Sequence, residues 1–267
     1  MLLETRTVEK PWGRDDLPAP FTAPDGKRIG EIWFEPPAAL DQLLIKYIFT
    51  SEKLSVQVHP DDDQAEAAGH GRQGKSECWL VLDAEPDARL GIGFADELGA
   101  DALRAAALDG SVEDRMTWHQ VRAGDFFYIP ANTVHAIGGG ISLIEVQQNS
   151  DITYRLYDYG RPRELHLDAA VDVAKARPYS DECRKQVPER GEMQLVDGPH
   201  FRLWRFDGQP SAEPGEALKG AVLVLPVSGD VTVAGEAVSA GDCALAEGLS
   251  AVQSADDTLW LAAAPLT

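Results

Sequence analysis

The segment Leu54-Ser55-Val56-Gln57-Val58-His59-Pro60 alternates between apolar and polar side chains. A period of two marks a β-strand, because successive side chains of a strand point to opposite faces. Ser55, Gln57 and His59 therefore share one face, and Leu54, Val56 and Val58 share the other. The inward face of a barrel strand is ordinarily apolar, so a Ser/Gln/His stripe backed by aliphatic residues calls for a β fold with chemistry inside it. Glu77 lies in a second strand-like run, Ser76–Leu82, and His135 follows a third, Gly124–Ala131. Taken singly, each histidine reads more readily as an ordinary hydrogen-bonded side chain. Together, His59, Glu77 and His135 with the Gln57 amide form an N/O ligand set suited to a divalent metal. Gln57 is the weakest ligand of the four by type.

The rest of the chain repeats the β pattern. Short apolar runs separated by Pro and Gly predict strands at Gly30–Phe34, Leu43–Phe49, Ser55–His59, Cys78–Leu82, Asp125–Ile129, Ser142–Gln147 and Ile152–Tyr157. Helices are expected at Asp61–Ala68, where acidic residues follow Pro60, and at Asp96–Leu108, which stops at Asp109-Gly110. A third helical pattern from Leu165 to Arg177 reads as a connector. Beyond it, strands are expected at Phe201–Phe206, Ala221–Pro226, Asp230–Ala234, Asp242–Ala246, Ser250–Gln253 and Thr258–Ala263. Val121-Arg122-Ala123-Gly124-Asp125 is echoed by Val238-Ser239-Ala240-Gly241-Asp242. The expected fold is mainly β: two jelly-roll barrels with a few short helices. Residues 1–165 form the metal-binding unit, 166–191 the helical connector and 192–267 a metal-free barrel, since only His200 of the six histidines lies beyond residue 166.

Charge excludes one class of partner. With 24 Lys+Arg against 44 Asp+Glu, the formal charge is −20, a surface that repels phosphate backbones, so no nucleic acid is expected. Any anionic substrate must meet a local cluster of cations. Cys78, Cys183 and Cys243 are odd in number and dispersed, which fits a reducing cytosol rather than a disulfide scaffold. No run has signal-peptide or membrane-span character, so a cytoplasmic protein with no membrane association is expected.

Four charged residues near the ligand set carry further chemistry. Glu145 and Gln147 share a face opposite Ile144 and Val146; a carboxylate facing a barrel interior suits proton transfer, whereas on an edge strand it is a solvated charge. Arg155 and Arg161 stand among Tyr154, Tyr157 and Tyr159, and a guanidinium suits phosphate through two parallel hydrogen bonds. Surface ion pairs with Asp151 or Asp158 are the other reading. Lys75 either flanks the metal or is a turn lysine in Gly74-Lys75-Ser76.

These motifs resemble the type I phosphomannose isomerases (mannose-6-phosphate isomerases), zinc enzymes built from cupin barrels. The matching segments are Lys10–Gly13, Gly30–Trp33, Leu54–Asp62 (LSVQVHPDD), Gly74–Leu82 (GKSECWLVL), Gly124–Gly138 (GDFFYIPANTVHAIG) and Ser150–Arg161 (SDITYRLYDYGR). They cover the first roughly 165 residues, and LSVQVHPDD is specific. The chain is similar to the short bacterial form, which lacks the large helical insertion of longer members. The resemblance implies that Gln57, His59, Glu77 and His135 hold one zinc and that Arg155 is the active-site arginine. It implies that Lys75, Glu145 and Ser55 line the sugar site, with Glu145 the first choice of base and Lys75 the second. Arg161 stands where the family often places a basic residue that meets the phosphate, and the Lys10–Gly13 segment puts Trp12 among the substrate-binding residues. The implied reaction interconverts mannose 6-phosphate and fructose 6-phosphate through a cis-enediol. The C-terminal hundred residues carry little of the family signature, and cupin isomerases act on several sugar phosphates. Two other classes use the same fold: a non-haem iron dioxygenase, and a non-catalytic sugar-binding cupin. The joint presence of Lys75, Glu145 and Arg155 argues against the latter.

Overall fold

The computed structural model describes residues 1–211, 214 and 218–266. Its strands form four antiparallel sheets stacked face to face. The first is seven-stranded, in the order Thr5–Arg14, Ile29–Phe34, Leu43–Thr50, Ile141–Gln148, Glu77–Ala84, Asp125–Ile129 and Arg184–Gln186. The second is five-stranded: Tyr154–Tyr157, Val56–Val58, His135–Ile137, Arg89–Phe94 and Met116–Gln120. A five-stranded and a three-stranded sheet make up the C-terminal half.

Alternation in the strands explains how one sheet serves two cores. Along Leu43–Thr50, Leu43, Ile45, Tyr47 and Phe49 enter a cluster shared with Leu203, Leu223, Leu225, Leu261 and Ala263 of the C-terminal half. Lys46 and Ile48, of opposite parity, face the interior between the first two sheets, where Trp12, Trp79, Leu90, Phe127 and Leu143 pack. The C-terminal five-stranded sheet divides in the same way. Trp204, Phe206, Val222, Val224 and Trp260 turn from the shared cluster into a core closed by Val231, Val233 and Val252. That second barrel is filled by its own side chains. On the far side of the molecule, Val56 and Val58 pack beneath the helices Ala100–Asp109 and Leu167–Val173 through Leu103, Ala106, Ala107, Ala170 and Val171. Leu54, just before that strand, goes instead to the inner cluster.

The echoed pentapeptides fold alike. Gly124 and Gly241 both adopt positive φ, 84° and 97°. In each turn the following aspartate receives a hydrogen bond from the backbone three residues earlier: Arg122 N–H to Asp125 at 3.0 Å, and Ser239 N–H to Asp242 at 3.3 Å. In both, the aspartate N–H also donates back to that residue's carbonyl, Asp125 to Arg122 at 3.1 Å and Asp242 to Ser239 at 2.9 Å, so each is a β-turn closed by backbone and carboxylate together.

The mainly β expectation is borne out, and the differences lie at the margins. Thr5–Arg14 pairs with Ile29–Phe34 as an edge strand despite Pro11, with register shifts at Val8/Glu9 and Glu9/Arg14; an edge tolerates a residue that cannot donate. Arg89–Phe94 forms although Gly91 and Gly93 interrupt its side-chain pattern. Arg184–Gln186, from the segment read as a connector, joins the first sheet beside Asp125–Ile129. The second helix begins at Ala100 rather than Asp96. Among the described residues no helix is long and apolar enough to cross a membrane.

Because the two halves share one apolar cluster, they are expected to unfold together. Leu225 is fully buried in that cluster, and Leu225→Ala is expected to cost about 2–5 kcal/mol. Thermal unfolding should remain one transition at lower temperature. Two separate transitions, with the first half's unchanged, would contradict the shared core.

Candidate functional site

Cross-strand register assembles the site. In the second sheet Arg155 pairs with Gln57, and Gln57 with His135. Directly opposed residues of an antiparallel ladder project to the same side, so Arg155, Gln57 and His135 form one inward row. In the first sheet Lys46 pairs with Glu145 and Glu145 with Trp79. Glu77 pairs with Gln147 one inward step further along. The two rows face each other across the barrel interior.

At the closed end, His59, Glu77 and His135 offer ligand atoms that all lie within 4.8 Å of one another, and all three residues are buried. Each imidazole is oriented from behind. His59 Nδ1–H donates to the Ile152 carbonyl at 2.7 Å and His135 Nδ1–H to that of Thr133 at 2.9 Å. These bonds fix the tautomers and leave both Nε2 lone pairs turned inward, the usual support of metal-bound histidine. The loop before His135 is tied down by Asn132, at φ 72°, whose N–H donates to the His59 carbonyl at 2.7 Å. Burial lowers both imidazoles, His135 to about 4 and His59 well below its ordinary value, with the Lys75 charge adding to the effect. Both are therefore neutral at pH 7. Glu77 Oε1 is buried without a hydrogen-bond donor, 3.3 Å from His135 Nε2. The Gln57 amide lies 3.3 Å from the same nitrogen. Two neutral imidazoles, an unsatisfied carboxylate oxygen and a neighbouring amide are a donor set that fits a divalent cation.

Beside this cluster the charges are paired. Lys75 Nζ donates to Glu77 Oε2 at 2.5 Å and to His59 Nε2 at 3.1 Å, and lies 3.9 Å from Glu145 Oε1. Glu145 accepts from Lys46 Nζ at 3.1 Å and Trp79 Nε1 at 3.0 Å. Burial raises Glu77 to about 7, helped by the Glu145 charge. Burial alone would also raise Glu145, but Lys75 and Lys46 more than reverse it, so Glu145 is held below the usual carboxylate range. Burial opposes the Lys75 charge, and Glu145 and Glu77 overcome it, so Lys75 stays protonated.

Lys75 and Gln57, which touch His59 and His135, separate the cluster from a cavity of about 260 Å³, at the small end for ligand sites. Trp12, Ser55, Gln57, Lys75, Glu145 and Arg155 line it. Ser55 Oγ donates to the Gln57 amide oxygen at 3.3 Å. Arg155 has a buried Nε without an acceptor. Arg161 is not on the wall: it donates to the Lys53 carbonyl at 2.6 Å and pairs with Asp158 at 3.1 Å. Arg163 lines the cavity instead, gripped by Asp158 through two 2.6 Å hydrogen bonds. Sequence reasoning passed over Arg163 because the matching segment ended at Arg161. It also passed over Lys46, whose signal was a lone charge inside the apolar run Leu43–Phe49. Trp33, 4.3 Å from the Lys46 ammonium, and the Lys10–Glu31 pair at 3.2 Å complete the mouth.

No family model matches the chain. It is 33% identical over 219 residues to the probable mannose-6-phosphate isomerase GmuF of Bacillus subtilis, covering 78% of this chain and 64% of the relative. It is 38% identical over 173 residues to the mannose-6-phosphate isomerase of Streptococcus mutans, covering 61% and 54%. The chain thus matches less than two thirds of those relatives' own lengths. Among solved structures, the mannose 6-phosphate isomerase of Bacillus subtilis superposes with a TM-score of 0.80 at 23% identity, covering 98% of both chains. A zinc-bound mannose 6-phosphate isomerase superposes at 0.74 and 14% identity. The cupin fold and the resemblance to phosphomannose isomerases are borne out.

Protein purified without added metal is expected to carry one divalent ion per chain by elemental analysis. His59→Ala should lose it while keeping the native circular dichroism spectrum. Full occupancy in that variant would remove His59 from the ligand set.

Proposed function

We propose that this chain is a zinc-dependent aldose–ketose isomerase that interconverts mannose 6-phosphate and fructose 6-phosphate. The observation that carries this reading is a cavity lined by Lys75, Glu145 and Arg155 with the His59/Glu77/His135 cluster directly behind Lys75 and Gln57. The names of the relatives agree with it. One zinc would be held by Gln57, His59, Glu77 and His135, where it would supply Lewis-acid polarisation of the sugar's oxygens.

The chemistry asks the protein to remove a very weakly acidic C2 proton and to stabilise the enediolate that results. Glu145, kept ionised by two lysines, takes that proton and returns it at C1. The Lys75 ammonium hands a proton to the carbonyl oxygen and recovers one from the neighbouring hydroxyl, so the cis-enediol leaves no net change in the residues. Arg155 sets a fixed positive charge against the developing oxyanion. Ser55 and Trp12 wall the sugar, and the phosphate is met at the end where Arg163 lines the cavity. Phosphate held away from C1 and C2 orients them. Catalysis on this reading belongs to residues 1–165, with 166–191 connecting to a metal-free unit, 192–267. Residues 212, 213, 215–217 and 267 of that unit lie outside the described residues. The setting is the cytoplasm and the partner a free sugar phosphate.

A coupled assay across mannose, glucose and other hexose 6-phosphates tests the proposal. Mannose 6-phosphate should turn over, activity should vanish with a chelator, and zinc should restore it. Absence of turnover with zinc-loaded protein would refute it.

Arg155→Ala is expected to lower kcat about 10²–10³-fold, as for loss of one oxyanion contact, with a smaller change in KM. Arg155→Lys should recover little, because an ammonium lacks the planar fork. An unchanged kcat in Arg155→Ala would remove the guanidinium from the mechanism.

A further inference from the structure

Three consecutive amides around Lys75 are each held by a different group. Gly74 N–H donates to Asp62 Oδ1 at 2.8 Å, Lys75 N–H to the Pro60 carbonyl at 2.9 Å, and Ser76 N–H to Gln148 Oε1 at 2.9 Å. The two side chains involved are also tied to each other, since Gln148 Nε2 donates to Asp62 Oδ1 at 2.8 Å. Asp62 Oδ2 faces His200 Nδ1 of the C-terminal half at 3.6 Å, which leaves Oδ1 for Gly74 and Gln148. Ser76 Oγ in turn accepts from Ala131 N–H at 3.2 Å.

The approach is close enough to require glycine. A Cβ on Gly74 would stand 2.4 Å from the Asp61 carbonyl carbon and 2.5 Å from the Pro60 carbonyl oxygen. Neither Asp62 nor Gln148 lines the cavity, so neither touches the sugar. Lys75 has a long side chain whose Nζ must sit between Glu77 and Glu145, 2.5 Å from one and 3.9 Å from the other. A small rotation of its backbone would carry the ammonium out of that gap.

From this geometry we infer that Asp62 and Gln148 are positioning residues for the isomerisation. They clamp the backbone on both sides of Lys75 and so fix where its ammonium stands between Glu77 and Glu145. The inference rests on the reading that Lys75 acts on the sugar in the proposed reaction. It gives the second aspartate of LSVQVHPDD a task distinct from that of the first, because Asp61 caps the helix Asp62–Ala67 by accepting from Gln64 N–H at 3.0 Å.

The test compares zinc-loaded Asp62→Ala, Asp62→Asn, Gln148→Leu and Lys75→Ala with the parent protein. Asp62→Ala and Gln148→Leu should each lower kcat about tenfold to a hundredfold, the scale of a misplaced catalytic group. KM should stay within about twofold and the metal content unchanged, which is the signature of an interaction used in the transition state. Asp62→Asn keeps an acceptor oxygen and should recover most of the loss. Amide hydrogen exchange at residues 74–76 should quicken in Asp62→Ala and Gln148→Leu and not in Asp62→Asn. A parental kcat in folded Gln148→Leu and Asp62→Ala, with Lys75→Ala inactive, would overturn the clamp and leave the role of Lys75 standing. A parental kcat in Lys75→Ala would instead overturn the role of Lys75 itself. Should Asp62→Ala fail to fold, Gln148→Leu decides alone.

Discussion

Two lysines and two glutamates are buried within one barrel, and every other feature of the site accommodates them. Lys46, Glu145, Lys75 and Glu77 form, in that order, a chain of ion pairs at 3.1, 3.9 and 2.5 Å. An isolated ion in such a place costs several kcal/mol in desolvation, so the four persist only because their charges balance and their remaining hydrogen bonds are met. Removing one member strands its partner at a cost of about 3–5 kcal/mol. The Trp79 indole, pointed at Glu145, supplies one of those remaining bonds. The exception is Glu77 Oε1, which no donor reaches. An unmet oxygen in an otherwise balanced quartet is where a further positive charge belongs, and the two neutral imidazoles flank it.

Local patterning made much of this visible in advance. The alternation of Ser55, Gln57 and His59 against Val56 and Val58 foretold which face would carry chemistry and which would be apolar. Glu145 was ambiguous from its own stretch, an interior group or an edge charge, and that ambiguity is physical. Whether Ile141–Gln148 is central or peripheral depends on pairing with Leu43–Thr50 and Glu77–Ala84, about a hundred and about sixty residues away in the chain. Register of that kind is set by non-local contacts and leaves no local trace. The same reason hid the row Arg155–Gln57–His135.

Other omissions came from residues that break a pattern in order to work. Lys46 interrupts an apolar run, and interruptions read as noise until the facing carboxylate is known. No strand was expected at Thr5–Arg14, which contains Pro11, yet the segment lies at a sheet edge, where a missing donor costs nothing. Gly91 and Gly93 erase the side-chain signal of Arg89–Phe94; at Gly93 a Cβ would stand 2.8 Å from the Arg177 carbonyl oxygen, so the strand trades its own pattern for close contact with another segment. In each case tertiary context outweighed local preference.

The sheet whose one face carries Lys46 and Glu145 and whose other face carries Tyr47 and Ile144 works like the skin of a drum. Its outer side is held by the C-terminal half, through Leu203, Leu223 and Leu261, and its inner side bears the charges. Neighbouring side chains on one strand share a backbone, so an outward residue cannot shift without tilting the inward one beside it. The C-terminal half thereby bears on the placement of Lys46 and Glu145 without lining the cavity. Substitutions at Leu203, Leu223 or Leu261 can retune the spacing of Lys46 and Glu145 while every residue of the cavity stays the same, a change that comparison of cavity residues alone would miss.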